Sequence, residues 1–272
     1  MIDMKKGEMY FNWIFIVVVG AVFLAFFTGF AIKYKDIQER KTEIIFLNNL
    51  DSALTNLQGS SFTTSTDIEL PLNVNVDCDN KGYIFFIKEK NDIDYLISSK
   101  ELLKEKIHVW YKPYKIPFRV TNIYYLNDNS PVNVLTNNVE LVNSLKEEMP
   151  DEFRNKINVY SGNNLIINGD ENRGTVFSDG KNVPYLGKEM LYAAIFSSNY
   201  SCFYNNMKEE ISKAISIHES KARVLARSGC NYNAIISRMN MLRYMGNADY
   251  SAVNSIEELN KDLISINCPG LF

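Results

Sequence analysis

Two histidines, four cysteines and scattered carboxylates are the side chains in this sequence from which chemistry could be built. His218 stands beside Glu219, but it falls on the apolar stripe of its own helix and reads as a hydrogen-bonded core histidine. His108 precedes Trp110 by two positions in a strand and has no acid–base partner within its segment. Asp77-Cys78-Asp79-Asn80-Lys81-Gly82 has the opening of a calcium loop. It carries a lysine and a cysteine and lacks the downstream bidentate Glu such a loop needs, so it reads as a plain turn. Asp170-Glu171-Asn172 reads as a solvated acidic tip. No G-x-S-x-G, P-loop or dinucleotide fingerprint is present. No catalytic, cofactor-binding or metal-binding residue is therefore assigned, no cofactor is expected, and the reading leans away from an enzyme.

Cys78, Cys202, Cys230 and Cys268 lie far apart, with no C-x-x-C pair to suggest a zinc knuckle or redox motif. Spread, even-numbered cysteines behind a membrane anchor suit disulfides in an oxidising compartment; the alternative is four buried thiols. Cys202 and Cys230 bracket a helix about 35 Å long, too long to bridge if straight. Cys230 and Cys268 fall at the same end of a helical hairpin, which leaves Cys78 for Cys202.

These side chains hang from an anchored chain. Phe11 to Ile32 carries only Asn12 and Thr28 as strongly polar side chains, and a bilayer core needs about 20 apolar residues. Tyr10, Trp13 and Tyr34 would sit at the two interfaces. Ala21, Ala25 and Gly29 form a small-residue stripe that lets helices approach closely, although small residues are common in membrane helices anyway. Net charge is −3, with no basic stripe to hold a nucleic acid.

Met1-Ile2-Asp3-Met4-Lys5-Lys6-Gly7-Glu8-Met9 sets a short basic leader and a glycine directly before the apolar run. Lys6-Gly7-Glu8-Met9 resembles the archaeal class III, type IV prepilin-like signal. The stretches Phe11-Asn12-Trp13-Ile14-Phe15, Lys112-Pro113-Tyr114-Lys115-Ile116-Pro117-Phe118 and Ala194-Ile195-Phe196-Ser197 look like uncharacterised pilin-like membrane proteins of small-genome archaea. The resemblance implies cleavage between Gly7 and Glu8 with the helix kept on the mature protein. Bacterial-type pilins carry Glu at the fifth mature position, where this sequence has Asn12, so the resemblance speaks more for insertion than for filament assembly.

Lys and Arg counts flanking the span favour a cytoplasmic C-terminal side. The leader, the cysteines and the sequon Asn199-Tyr200-Ser201 favour the outside, which is the orientation adopted here. Ile37, Ile44, Leu47, Leu50, Leu54 and Leu57 recur at helical spacings and extend the helix to about 70 Å from Tyr10 to Leu57. Gly59-Ser60-Ser61 then breaks it. Lys33 to Thr42 lacks a full stripe and allows a flexible exit from the membrane.

Beyond it, Asp67 to Val76 alternates as one strand with an edge or bulge at Pro71. Further strands are expected at Gly82–Ile87, Asp94–Ile97, Ile107–Tyr111 and Phe118–Leu126, in a meander-like region ended by Asp128-Asn129-Ser130-Pro131. A helix at Asn138–Glu148, strands at Lys156–Tyr160, Leu165–Asn168 and Gly174–Phe177, and a helix at Gly187–Phe196 suggest a small α/β layer. Helices follow at Asn205–Arg227, stopped by Gly229, and at Tyr232–Tyr244. A last helix opens on the capping box Ser255-Ile256-Glu257-Glu258.

The expected fold class is α+β: a long N-terminal membrane-spanning helix, a β-rich or α/β middle domain, and a C-terminal helical hairpin or three-helix segment. The expected domains are a leader (1–8), a transmembrane helix (9–33), an amphipathic stalk (34–58), a mixed ectodomain (63–200) and a helical region packed on it (201–272). The functional expectation is a single-pass, extracytoplasmic pilin-like protein with a structural, adhesive or assembly role. The alternative is a tethered ligand-binding or enzymatic ectodomain. Expected partners are the lipid bilayer and, through the N-terminal helix, further copies or other envelope proteins, with no nucleic acid.

Overall fold

The computed structural model describes residues 5–59, 65–69, 74–79, 82–86, 90–93, 96–98, 102–103, 106–178, 180–197, 199–243 and 250–272. The expected leader residues Met1 to Met4, the break at Ser60-Ser61, the bulge at Pro71, the turn residues Asn80-Lys81, and Ile87, Asp94, Tyr95 and Tyr244 lie outside these. By its contacts the chain divides after Asn49 into two compact units.

Helix α1 (Lys5–Gly59) covers the expected span and stalk. The flexible exit expected over 33–42 is helical instead. Lys, Gln, Glu and Arg are good helix formers, and Lys35 and Glu39 add an i,i+4 ion pair at 3.7 Å. In the first unit Trp13, Phe15, Phe23, Leu24, Phe27 and Phe30 are all exposed. Thr28 hides its hydroxyl by donating to the Leu24 carbonyl at 2.7 Å. The helix is long and apolar enough to cross a membrane.

The second unit begins inside α1. Leu50, Leu54 and Leu57 are buried, so the last turns of the expected stalk belong with the folded unit. Strands β1 (Ser65–Glu69), β2 (Val74–Asp79), β3 (Gly82–Phe86), β4 (Lys90–Ile93), β5 (Leu96–Ser98), β6 (Leu102–Leu103), β7 (Lys106–Lys115) and β8 (Arg119–Asn127) come first. They form two sheets, ordered β1-β7-β8-β5 and β4-β3-β2-β6, rather than a meander. The single strand expected over 67–76 is two, β1 and β2, in different sheets. Alternation shows that a segment is a strand but does not choose its neighbour. β7 also runs past the expected end at Tyr111 through Pro113, to an irregularity at Tyr114/Lys115.

β9 (Val132–Thr136), α2 (Val139–Glu147), α3 (Asp151–Arg154) and β10 (Ile157–Ser161) make a βαβ crossover whose two strands pair in parallel. The β region, expected to end at Pro131, thus continues into β9, which pairs in parallel with β10. Antiparallel β11 (Ile166–Gly169), β12 (Arg173–Ser178) and β13 (Lys181–Leu186) follow; like β9, β13 is not expected from the sequence. α4 (Lys188–Phe196) is buried from Met190 to Phe196, as expected of a helix apolar on every side.

The helical end comprises α5 (Tyr200–Leu225), α6 (Asn233–Arg243) and α7 (Tyr250–Ser265). Gly229, at φ 91°, ends α5 and its short 3₁₀ extension in the left-handed conformation that suits glycine. α5 starts before the expected Asn205, because Asn199 caps it by accepting the Cys202 N–H at 2.9 Å. Ser255 lies inside α7, so the Ser255–Glu258 pattern is not the helix cap it was read as.

The four-stranded β1-β7-β8-β5 sheet is the centre of the core. Strand alternation sends Trp110 and Tyr125 to one face, where they meet Phe153 of α3 and Tyr192 and Phe196 of α4. Val109, Tyr124 and Leu126 take the other face, where Tyr124 Oη donates to the Leu54 carbonyl of α1 at 3.1 Å.

Candidate functional site

Register places Asp67 of β1, His108 of β7 and Asn127 of β8 side by side across three strands. His108 Nδ1 donates to Asp67 Oδ1, and Nε2 lies 2.7 Å from the side-chain amide of Asn129. Asn129 sits at φ 66°, a conformation asparagine tolerates. Lys106 Nζ reaches the second Asp67 oxygen at 2.6 Å. An Asp–His pair of this kind orients imidazole in hydrolase triads, but there Nε2 faces a nucleophile. Here it faces an amide, so the cluster ties β1, β7 and the turn after β8 together.

Asp67 sets the pH behaviour of this clasp. The Lys106 hydrogen bond pulls its carboxyl below the ordinary 3.8, burial opposes the shift, and His108 adds to it. The folded pKa is thus below the unfolded one. The stabilisation is full above 3.8 and drains away as pH falls through the lower folded value. Asp67→Asn is expected to cost on the order of 1 kcal/mol or less at neutral pH, because both partners are partly exposed. It should also flatten the acid limb of the stability–pH curve. Superimposable acid-unfolding curves for the two proteins would show that the clasp carries no stability.

A second cluster surrounds Lys112. Its ammonium sits 4.6 Å from the Tyr192 ring centroid, 5.3 Å from that of Trp110 and 3.8 Å from Glu189. Burial pulls this ammonium's pKa down, and Glu189 and Glu148 push it back up. Burial raises the Glu148 carboxyl, but its bond to Lys188 at 2.8 Å and that cation's charge more than offset this and leave it lowered. Buried Tyr125 donates to the Glu189 carbonyl at 2.8 Å. A cation enclosed by two rings and a carboxylate is held as a packing element.

His218 is half-buried between the rings of Phe118 at 4.6 Å and Phe272 at 5.8 Å. Burial lowers its pKa, against the Leu271 carbonyl. Its Nδ1 is buried without a hydrogen-bond partner. The hydrogen-bonded core histidine expected from sequence is half-buried, bonded to the Leu271 backbone and packed against two rings. Around it the segment 268–272 is strapped down. Leu271 donates its N–H to Asn260 Oδ1 at 2.6 Å and accepts from Lys221 at 2.6 Å, and Tyr232 donates to the Pro269 carbonyl at 2.7 Å.

Cys78 is joined to Cys202 and Cys230 to Cys268, with Cα–Cα distances of 6.0 and 5.9 Å. Asp77, Cys78 and Asp79 lie in β2 and Gly82 in β3, with Asp79 paired to Gly82. No group of three or more metal-ligating side chains occurs among the described residues. Gly7 and Glu8 lie in the first turns of α1. Ala21, Ala25 and Gly29 are exposed, and nothing approaches within 4 Å of a Cβ built on Gly29. The sequon residue Asn199 caps α5 through its side-chain oxygen and is half-buried.

The βαβ unit, β12 and the end of α4 enclose a cleft of about 300 Å³. Asn133, Val134, Leu135, Asn163, Asn164, Leu165, Val176, Phe177, Ala194, Ile195, Ser197 and Tyr200 line it. A groove of about 480 Å³ runs along α5 beside Cys202, Lys208, Glu209 and Arg243. His108, Lys112 and His218 line neither. No family model, curated protein or solved structure matches this chain. Sequence reasoning missed the partners Asp67, Asn129, Glu189 and Tyr192, because they come from segments distant in the chain and form no local motif.

Proposed function

We propose that this chain is a pilin-like protein anchored by α1, with its folded unit outside the cytoplasm in a structural, adhesive or assembly role at the cell envelope. The observation that carries the reading is the run of exposed large apolar side chains from Trp13 onward, directly behind Lys6-Gly7-Glu8. Burying one such side chain is worth about 1.5–3 kcal/mol, so together they demand lipid or protein around them. The two disulfides add support for an oxidising compartment.

Mass spectrometry of the protein purified from membranes tests it. The expected mature chain begins at Glu8, and Gly7→Val is expected to leave the leader in place. An intact leader on the wild-type protein removes the processing half of the proposal. Alkylation of intact cells under non-reducing conditions tests the orientation: all four cysteines are expected to be protected, and quantitative labelling would place the unit inside.

A second reading, a tethered ligand-binding domain, is favoured by the neutral cleft beside the βαβ unit.

A further inference from the structure

The cleft of about 300 Å³ lies wholly within the folded unit 50–272 and is independent of how the leader is processed. Its size is at the small end of ligand pockets, which run roughly 300–1,000 Å³. Its floor is apolar, with Val134, Val176, Ala194, Ile195 and Tyr200 buried. Asn133, Asn163, Asn164 and Ser197, polar and at least partly exposed, also line it. Among the described residues no Asp, Glu, Lys, Arg or His lines it, and the Tyr200 hydroxyl is already donated to the Pro184 carbonyl at 3.1 Å. A charged ligand would thus enter without a counter-charge, which is costly.

The polar wall is built in advance. The turn 162–165 is pinned to β9 by three backbone bonds: Gly162 N–H to Thr136 at 3.0 Å, and Asn164 and Leu165 N–H to Leu135 at 3.0 and 2.8 Å. Asn133 Oδ1 accepts from Asn158 Nδ2 at 3.1 Å, which fixes that amide and leaves its NH₂ as a donor. Side chains on a fixed backbone lose less entropy when they bind. Phe177 stands at the rim, 38 % exposed, an aromatic face that the folded unit does not cover.

We propose that this cleft binds a sugar residue. An amide offers both a donor and an acceptor and so matches a hydroxyl pair on a pyranose ring. The apolar floor and the Phe177 ring suit the ring's C–H face. A free monosaccharide and the end residue of a surface glycan present the same chemistry. A peptide is the less suited occupant, because the cleft is short and no charged anchor lies among its described lining residues.

The test is saturation-transfer NMR on the full chain in micelles of a non-glycosidic detergent. The probes are the methyl glycosides of common hexoses and N-acetylhexosamines, and in a second arm short oligosaccharides ending in the best of them. Transfer to the ring protons of at least one methyl glycoside is expected. Asn164→Ala and Phe177→Ala, both at exposed positions, are each expected to weaken it about tenfold while leaving thermal unfolding unchanged. Tighter binding of the oligosaccharide assigns the site to a glycan end, and equal binding assigns it to a free sugar. Absence of transfer from every glycoside, transfer indifferent to both variants, or binding of short neutral peptides in place of sugars overturns the proposal.

Discussion

Cys78→Ser/Cys202→Ser is expected to lower the stability of the folded unit by about 4–5 kcal/mol, read from urea unfolding of the full chain in detergent. The disulfide spans 124 residues. In the chain-entropy account, a cross-link that closes so long a loop acts mainly by restricting the unfolded chain. The Cys230–Cys268 bridge spans 38 residues, and the same account makes its removal about 1 kcal/mol less costly. Whole domains are stable by only about 5–15 kcal/mol, so the first loss alone would bring the unit near its limit.

The difference between the two double variants is the informative quantity. Equal losses would mean that native contacts near each bridge, and not loop length, set the effect. There is also a local consequence. Cys78 lies on β2, in the β4-β3-β2-β6 sheet, and its partner lies on α5. Hydrogen exchange should therefore quicken first in β2 and β3 when this bridge is absent, while β7 and β8 keep their protection.

Trp110→Ala is expected to cost about 3–5 kcal/mol, the range for truncating a buried aromatic. Trp110 is fully buried, with ring centroids at 4.8 Å to Tyr125, 4.9 Å to Tyr192 and 5.7 Å to Phe153. The truncation removes apolar area and leaves a cavity walled by rings on a sheet and two helices, which cannot all shift inward together. It also strips Lys112 of one of its two aromatic faces. Trp110→Phe should cost less, because ring contact with Tyr125 and Tyr192 can persist. Phe177→Ala is the comparison: at an exposed rim its effect on stability should be small. If Trp110→Ala shifted the urea midpoint no more than Phe177→Ala, the sheet–helix contact would not be the centre of the core.

Elements with a strong local period were legible in the sequence. The apolar span, α2, α4 and the Gly229 stop all fall within a few residues of where the sequence places them. The two cysteine pairs followed from helix length, which keeps Cys202 from Cys230, and from the helical hairpin that brings Cys230 and Cys268 to one end. Short strands were less legible. β9 and β13 are not expected from the sequence: Pro131 precedes the one and Pro184 lies within the other, and proline ordinarily argues against a strand. The Ser255–Glu258 pattern resembled a cap, yet the helix continues through it, because a capping box is favourable only where backbone amides are unpaired.

The candidate sites were scarcely legible. His108 had no partner nearby in the sequence, because Asp67 is 41 residues away and Asn129 is 21. The cleft draws on β9, the 162–165 turn, β12 and α4, none of which carries a motif. By itself the sequence determined that this chain has an apolar helix long enough for a bilayer, a mixed domain behind it and cysteines placed to pair, because those properties reside in local periodicity and composition. Only the tertiary structure decided which strands are neighbours, that His108 is clasped and not poised for catalysis, and that a neutral amide-walled cleft exists. Those depend on side chains far apart in the chain, brought together by packing that local spacing does not encode.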